Sequence, residues 1–210
     1  IPATLEFMDA SAIDCVRRAM DLDLPDGCRA VLIIEVDGEP AVLEGQAARI
    51  LEIVEPLGVI ETRVAATAEE AEAIWKVRRS VSPSLRRVNP DKFNEDIVVP
   101  RTALRAFYQG VAQRGLPLVS YGHLGDGNLH VNFLAAGETE PGVLEGQVMD
   151  LFRLCMDLGG GLTGEHGIGL AKRPAFLGLA DPYQIETLRS LKRALDPKGI
   201  FNPGRLYAEF

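Results

Sequence analysis

The chain has 210 residues, 47% hydrophobic and 25% charged, with a formal net charge of −8. That composition supports a folded core and excludes a disordered chain. No basic stripe marks a nucleic-acid surface, and no apolar run approaches the roughly 20 residues of a membrane-spanning helix.

Ala3 to Met8 reads as a strand, and Asp9 or Ser11 caps a helix reaching about Met20. Arg29 to Val36 is a β-branched run between Asp26-Gly27 and Asp37-Gly38, hence a second strand. A helix to about Pro56 and a strand from Val59 to Ala65 follow. Thr67 and Glu70, at capping-box spacing, open the longest helix. It is expected to run to about Val81, with Pro83 limiting its continuation. Asp96 to Val99 reads as a short strand, and Pro100-Arg101 start a helix ending near Gly115. Leu116 to His123 and Asn128 to Leu134 form two strands around a tight turn. Helices from Pro141 to Leu158 and from Pro182 to about Leu195 complete the chain.

Short links and hairpins favour an α+β fold: an antiparallel sheet with helices on one face and a C-terminal helical segment. A strand–helix–strand pattern before and after Thr67 suggests two ferredoxin-like halves. The three cysteines, Cys15, Cys28 and Cys155, have unrelated spacings. They build no disulfide framework and no Cys-x-x-Cys site, which points to a reducing, cytoplasmic setting. The first residues, IPATLEFMDA, carry no leader pattern, begin without Met and look cut from a longer chain.

All three histidines fall between Tyr121 and Gly169. In YGHLGDGNLHVN, Asp126-Gly127 is a two-residue turn signal between apolar runs. That register sets His123 opposite His130, with Cβ atoms about 4.5–5.5 Å apart on one face. Two imidazoles so placed can share a metal ion, and Asn132 points to the same face. The third histidine sits in GGGLTGEHGIG, where six glycines in eleven residues exclude a helix or a strand interior. One side chain of Glu165-His166 can complete the metal site, and the other can serve as a free base. Neighbours in an extended chain point apart, so the two are expected to take different roles. A phosphate-binding glycine loop is the alternative, but the spacing lacks both usual signatures.

The stretches YGHLGDGNLHVNF, GLTGEHGIGLAKR and LKRALDPKGIFNPGRLY together resemble the C-terminal half of FAD-linked 2-hydroxy-acid oxidases and dehydrogenases. Glycolate oxidase, D-lactate dehydrogenase and D-2-hydroxyglutarate dehydrogenase are the relatives concerned. The resemblance runs from WKVRRSVSP to the C-terminus and more loosely over the start. It implies that residues 1–210 form one cap domain on the substrate side of a flavin site. FAD would be bound by a separate FAD-binding domain, so the chain alone is expected to bind no stoichiometric FAD.

The resemblance also implies roles. His123, His130 and Glu165 are metal ligands, zinc being the expected ion, and His166 is the base. Arg78 and Ser82 hold the substrate carboxylate, and Asn132 lines the same pocket. Lys92 is a further substrate candidate, although it falls slightly early and Asn94 lies nearer the expected place. Asn202 belongs to a terminal segment that returns towards the flavin. Without the resemblance, Arg78 reads equally well as an exposed helix arginine paired with Glu72 or a neighbour. The expected activity is oxidation of a small 2-hydroxy acid to the 2-oxo acid. A homo-oligomer or an electron-transfer subunit is an expected partner. A metal-dependent hydrolase with a two-His, one-carboxylate site and a non-catalytic binding module are the competing expectations.

Overall fold

The computed structural model of the protein describes residues 1–21, 23–134 and 141–206. They divide into two compact units: Ile1–Glu95 with Pro117–Glu138, and Asp96–Leu116 with Thr139–Phe210. One five-stranded sheet runs in the order β2-β1-β4-β5-β3. Its strands are β1 (Thr4–Asp9), β2 (Ala30–Glu35), β3 (Phe93–Val98), β4 (Leu118–His123) and β5 (Asn128–Phe133). The pairs β1–β2, β1–β4 and β4–β5 are antiparallel. This is the expected α+β class.

The strand–helix–strand order occurs twice, but the pairing differs. β1 and β2, joined through helix α1 (Ala10–Ala19), lie side by side, and helix α2 (Pro40–Val54) follows β2. β3 and β4, joined through α4 (Leu104–Gln113), have β5 between them, as in a split β-α-β unit.

In the first unit, Asp9 ends β1 and caps α1 by accepting from the Ala12 N–H at 2.7 Å. Its second oxygen accepts from the Ser120 N–H and hydroxyl, both at 2.7 Å, tying the cap to β4. Burial nonetheless pushes the Asp9 carboxyl up from its ordinary value, against the pull of these hydrogen bonds. Helix α3 (Ala68–Val88) starts on the expected capping box, with Glu70 N–H donating to the Thr67 hydroxyl at 3.2 Å. Ala12, Ile13 and Val16 of α1 and Val81 and Leu85 of α3 pack on Met8, Val119 and Tyr121 of the sheet. Both helices therefore cover one sheet face.

Two sequence expectations fail here. Helix α3 does not stop near Val81 but continues through Pro83 to Val88. Proline costs the helix one backbone hydrogen bond, and burial of Val81, Ser84 and Leu85 offsets it. The strand expected from Val59 to Ala65 is not formed. Val59, Ile60 and Val64 are exposed, and Arg63 is held by Glu61 and Asp23. A stretch with β-branched residues becomes a strand only where a neighbour pairs with its backbone, and none does among the described residues.

In the second unit, α4, α5 (Pro141–Asp157) and α6 (Arg173–Leu179) pack in sequence, and α7 (Pro182–Leu195) follows. Gly160 and Gly161 follow α5 and run beside β3, where Gly161 forms an antiparallel bridge with Val98. A Cβ at Gly160 would sit 2.2 Å from the Val98 carbonyl oxygen, so only glycine fits that crossing. No helix among the described residues is long and apolar enough to cross a membrane.

Candidate functional site: a polar sheet face and an acid-anchored loop

Strand alternation places Glu6 and Met8 on one face of β1. The register carries that face to Tyr121 and His123 on β4, then to Asn128, His130 and Asn132 on β5. One end of this face is apolar and covered by α1 and α3. The other end is polar and holds most of the sequence candidates.

The hairpin register differs from the two-residue turn expected. His123 stands opposite Asn128, and His130 opposite Tyr121. Residues 124–127 form a four-residue loop, in which the Asp126 N–H donates to the His123 carbonyl at 3.1 Å. The shift is by two residues, an even number, so it leaves both histidines on the expected face. They become diagonal neighbours, with ring centroids 5.3 Å apart and planes at 80°. Gly122 permits the close strand approach. Its φ is 156°, and a Cβ would meet the Asn128 carbonyl oxygen at 2.5 Å.

Arg78 is not an exposed surface arginine, and it is Arg79 that pairs with Glu72. The Arg78 side chain is only 12% exposed. Its Nε donates to Glu6 Oε2 at 2.6 Å, and its guanidinium stacks 4.6 Å above the centre of the Tyr121 ring. The other Glu6 oxygen meets His123 Nδ1. At the far end of the face, Asn132 Oδ1 accepts from Lys92 Nζ at 2.7 Å and from Asn94 Nδ2 at 3.0 Å. Lys92 and Asn94 thus reach the same atom, although only Lys92 carries charge. Burial, with Arg86 nearby, pushes the Lys92 ammonium below its usual range. The first unit therefore brings Arg78, His123, His130, Asn132 and Lys92 onto one face. Ser82 is exposed, beside a shallow pocket with Pro83, Arg86 and Arg87.

Glu165 and His166 belong to the second unit, on a loop gathered around Asp96. One oxygen of this fully buried carboxylate accepts from the Thr163 hydroxyl at 2.8 Å. The same oxygen accepts from the N–H groups of Gly164, Glu165 and His166 at 3.0, 2.9 and 2.7 Å. Lys172, also buried, donates to the carbonyls of Asp96 and Leu162. Burial pushes the Asp96 carboxyl up, but the His166 and Glu165 amides, the Thr163 hydroxyl and the Lys172 charge outweigh it and hold the pKa at about 2.

Three amides converging on one oxygen curl the backbone, so Glu165 and His166 do not point apart as in an extended chain. His166 Nε2 lies 3.6 Å from Glu165 Oε1, and both side chains are about half exposed. The arrangement also bears on the phosphate alternative. The amides that would cradle a phosphate are occupied by the chain's own carboxylate.

Asn202 stands exposed with φ 48° in the terminal turn, its carbonyl accepting from the Arg205 N–H at 3.3 Å. Asp196 shapes that turn by accepting from the Ile200 and Phe201 amides at 3.0 and 2.9 Å.

Sequence reasoning missed Glu6 and Asp96. A signal existed for Glu6: in TLEFMD it shares strand parity with Met8, an acid placed on an apolar face. Asp96 had only its position before the apolar run Ile97-Val98-Val99.

Two imidazoles on one face suit a divalent ion. The adjoining carboxylate at His123 Nδ1 and the buried Asn128 side-chain oxygen Oδ1, which has no partner among the described residues, fit a bound ion and its water. Comparison with known proteins places the chain in a family. Residues 1–206 match the family described as FAD linked oxidases, C-terminal domain. The chain is 33% identical to the glycolate oxidase subunit GlcD of Bacillus subtilis, over 100% of this chain and 46% of that protein. It is 30% identical to a D-lactate dehydrogenase of Archaeoglobus fulgidus, over 98% of this chain and 46% of that one. It is 26% identical to a D-2-hydroxyglutarate dehydrogenase of Stutzerimonas stutzeri, over 97% and 46% respectively. The chain thus spans less than half the length of these relatives. By sequence over almost its whole length, the chain belongs to the C-terminal domain family of FAD-linked oxidases.

Proposed function

We propose that the chain is the substrate side of an oxidoreductase that converts a small 2-hydroxy acid to its 2-oxo acid. The observation that carries this is the polar sheet face: a guanidinium, two neighbouring imidazoles, an amide and an ammonium on one face. A 2-hydroxy acid presents a carboxylate and a hydroxyl on adjacent carbons, and this face offers a partner for each. The relatives that act on glycolate, D-lactate or D-2-hydroxyglutarate by name support the same substrate class.

Arg78, with Nε committed to Glu6, turns its remaining guanidinium edge to the substrate carboxylate. Stacking on Tyr121 limits its motion and so fixes where the carboxylate sits. Lys92 adds a donor at the far end of the face, and Asn132, whose Oδ1 holds that ammonium, lines the same pocket. His123 and His130, with Glu165 as the third ligand by family resemblance, would hold the divalent ion. His166 accepts the hydroxyl proton, and its half-exposed ring can pass that proton to solvent. When bound, the flavin supplies the redox chemistry and the ion supplies Lewis acidity. The FAD-binding part is assigned to a further domain, and a homo-oligomer or an electron-transfer subunit stays an open partner proposal.

The test is dye reduction by the intact flavin-loaded protein with glycolate, D-lactate and D-2-hydroxyglutarate. At least one acid should be oxidised, and His166→Asn should lower turnover by about 10²–10⁴-fold while keeping bound metal. Ester or amide hydrolysis by the protein without flavin, with no oxidation of any acid, would overturn the proposal.

A further inference from the structure

Glu6 sits where a carboxylate is costly. Its side chain is 3% exposed, on the sheet face whose next residue, Met8, is fully buried. A charge taken out of water there needs partners for its oxygens. It has two: Arg78 Nε at 2.6 Å on Oε2, and His123 Nδ1 on Oε1. The pairing follows from the sheet, because Glu6 and His123 are direct cross-strand partners. Arg78 reaches the same carboxylate from α3, 72 residues away in sequence.

We propose that Glu6 is the positioning residue of this site, fixing the metal-binding imidazole and the carboxylate-binding guanidinium together. The inference deepens the proposed function and rests on it for the ion. An ionised carboxylate only accepts hydrogen bonds, so the His123 nitrogen facing it carries the proton. Nε2 then keeps its lone pair and is the ligand nitrogen. The same carboxylate takes the Nε edge of Arg78 and leaves the two terminal nitrogens for the substrate. One buried group thereby sets the span between the ion and the clamp.

The experiment uses the intact protein with Glu6→Met, which removes both acceptors at similar volume, and Glu6→Gln, which restores one. Three quantities are read: the His123 tautomer by long-range ¹H–¹⁵N correlation in metal-free protein, zinc affinity by chelator competition, and fold by circular dichroism. The wild type should show His123 protonated on Nδ1. Glu6→Met should shift it towards the Nε2-protonated form and weaken zinc binding about 10–100-fold. Glu6→Gln should recover part of both. A wild-type His123 protonated on Nε2 overturns the proposal, as does a folded Glu6→Met protein with unchanged zinc affinity. Should Glu6→Met fail to fold, the wild-type tautomer and Glu6→Gln decide. A wild-type protein that takes up no zinc counts against the ion itself, while the tautomer still decides the role of Glu6.

Discussion

Asp96 shows how much one buried carboxylate can organise. Its Oδ2 collects a hydroxyl and three consecutive amides, and those amides belong to the residues that present Glu165 and His166. Asp96→Ala leaves these donors without an acceptor, and we expect a loss of at least about 3 kcal/mol in urea unfolding at neutral pH. The pH dependence has a definite sign. The folded pKa of about 2 lies below the unfolded value of 3.8, so the stabilisation is present above about pH 4. It is lost as pH falls through the folded value. The gap between wild type and Asp96→Ala should therefore narrow between pH 4 and about 2, and a constant gap would contradict the assignment. Such anchors are hard to read from sequence. His123, His130, Asn132 and Glu165-His166 stand in recognisable motifs, whereas Glu6 and Asp96 resemble ordinary strand acids. Their importance comes from partners distant in sequence, Arg78 for one and the 163–166 loop for the other.

At the level of elements, local chemistry was legible and pairing was not. The caps at Asp9 and Thr67 follow from side chains that satisfy nearby amides, so a short stretch of sequence suffices. The β4–β5 register depends on how four loop residues close, and Asp126-Gly127 suits more than one closure. The face assignment survived because side chains alternate with period two. Helix α3 outlasted its proline because packing on α1 outweighs one lost hydrogen bond. The expected strand from Val59 to Ala65 failed for the opposite reason, having β-branched residues but no strand to pair with among the described residues. The hairpin makes a sharp prediction. Gly122→Ala puts a methyl group 2.5 Å from a backbone oxygen and 3.0 Å from the Leu129 Cα, neither of which is a flexible side-chain end. We expect a destabilisation well above about 1 kcal/mol, read as a lowered Tm, together with weaker zinc binding through the displaced His123. An unchanged Tm would show that the strands tolerate the separation.

For the whole molecule, the first unit carries Arg78 and two imidazoles, and the second carries Glu165 and His166. Under the proposed function, this chain binds and orients substrate while the redox group is held by another domain. The central claim is that a divalent ion on the His123–His130 face is required for oxidation of a 2-hydroxy acid. The direct measurement is dye reduction by the intact flavin-loaded protein after metal is stripped with a chelator, then after one equivalent of zinc or manganese is returned. Stripping should lower turnover by at least about 100-fold, the scale of a lost Lewis acid, and return of metal should restore it in the wild type but not in His130→Ala. Undiminished turnover in protein shown by elemental analysis to hold under about a tenth of an equivalent of metal would contradict the account.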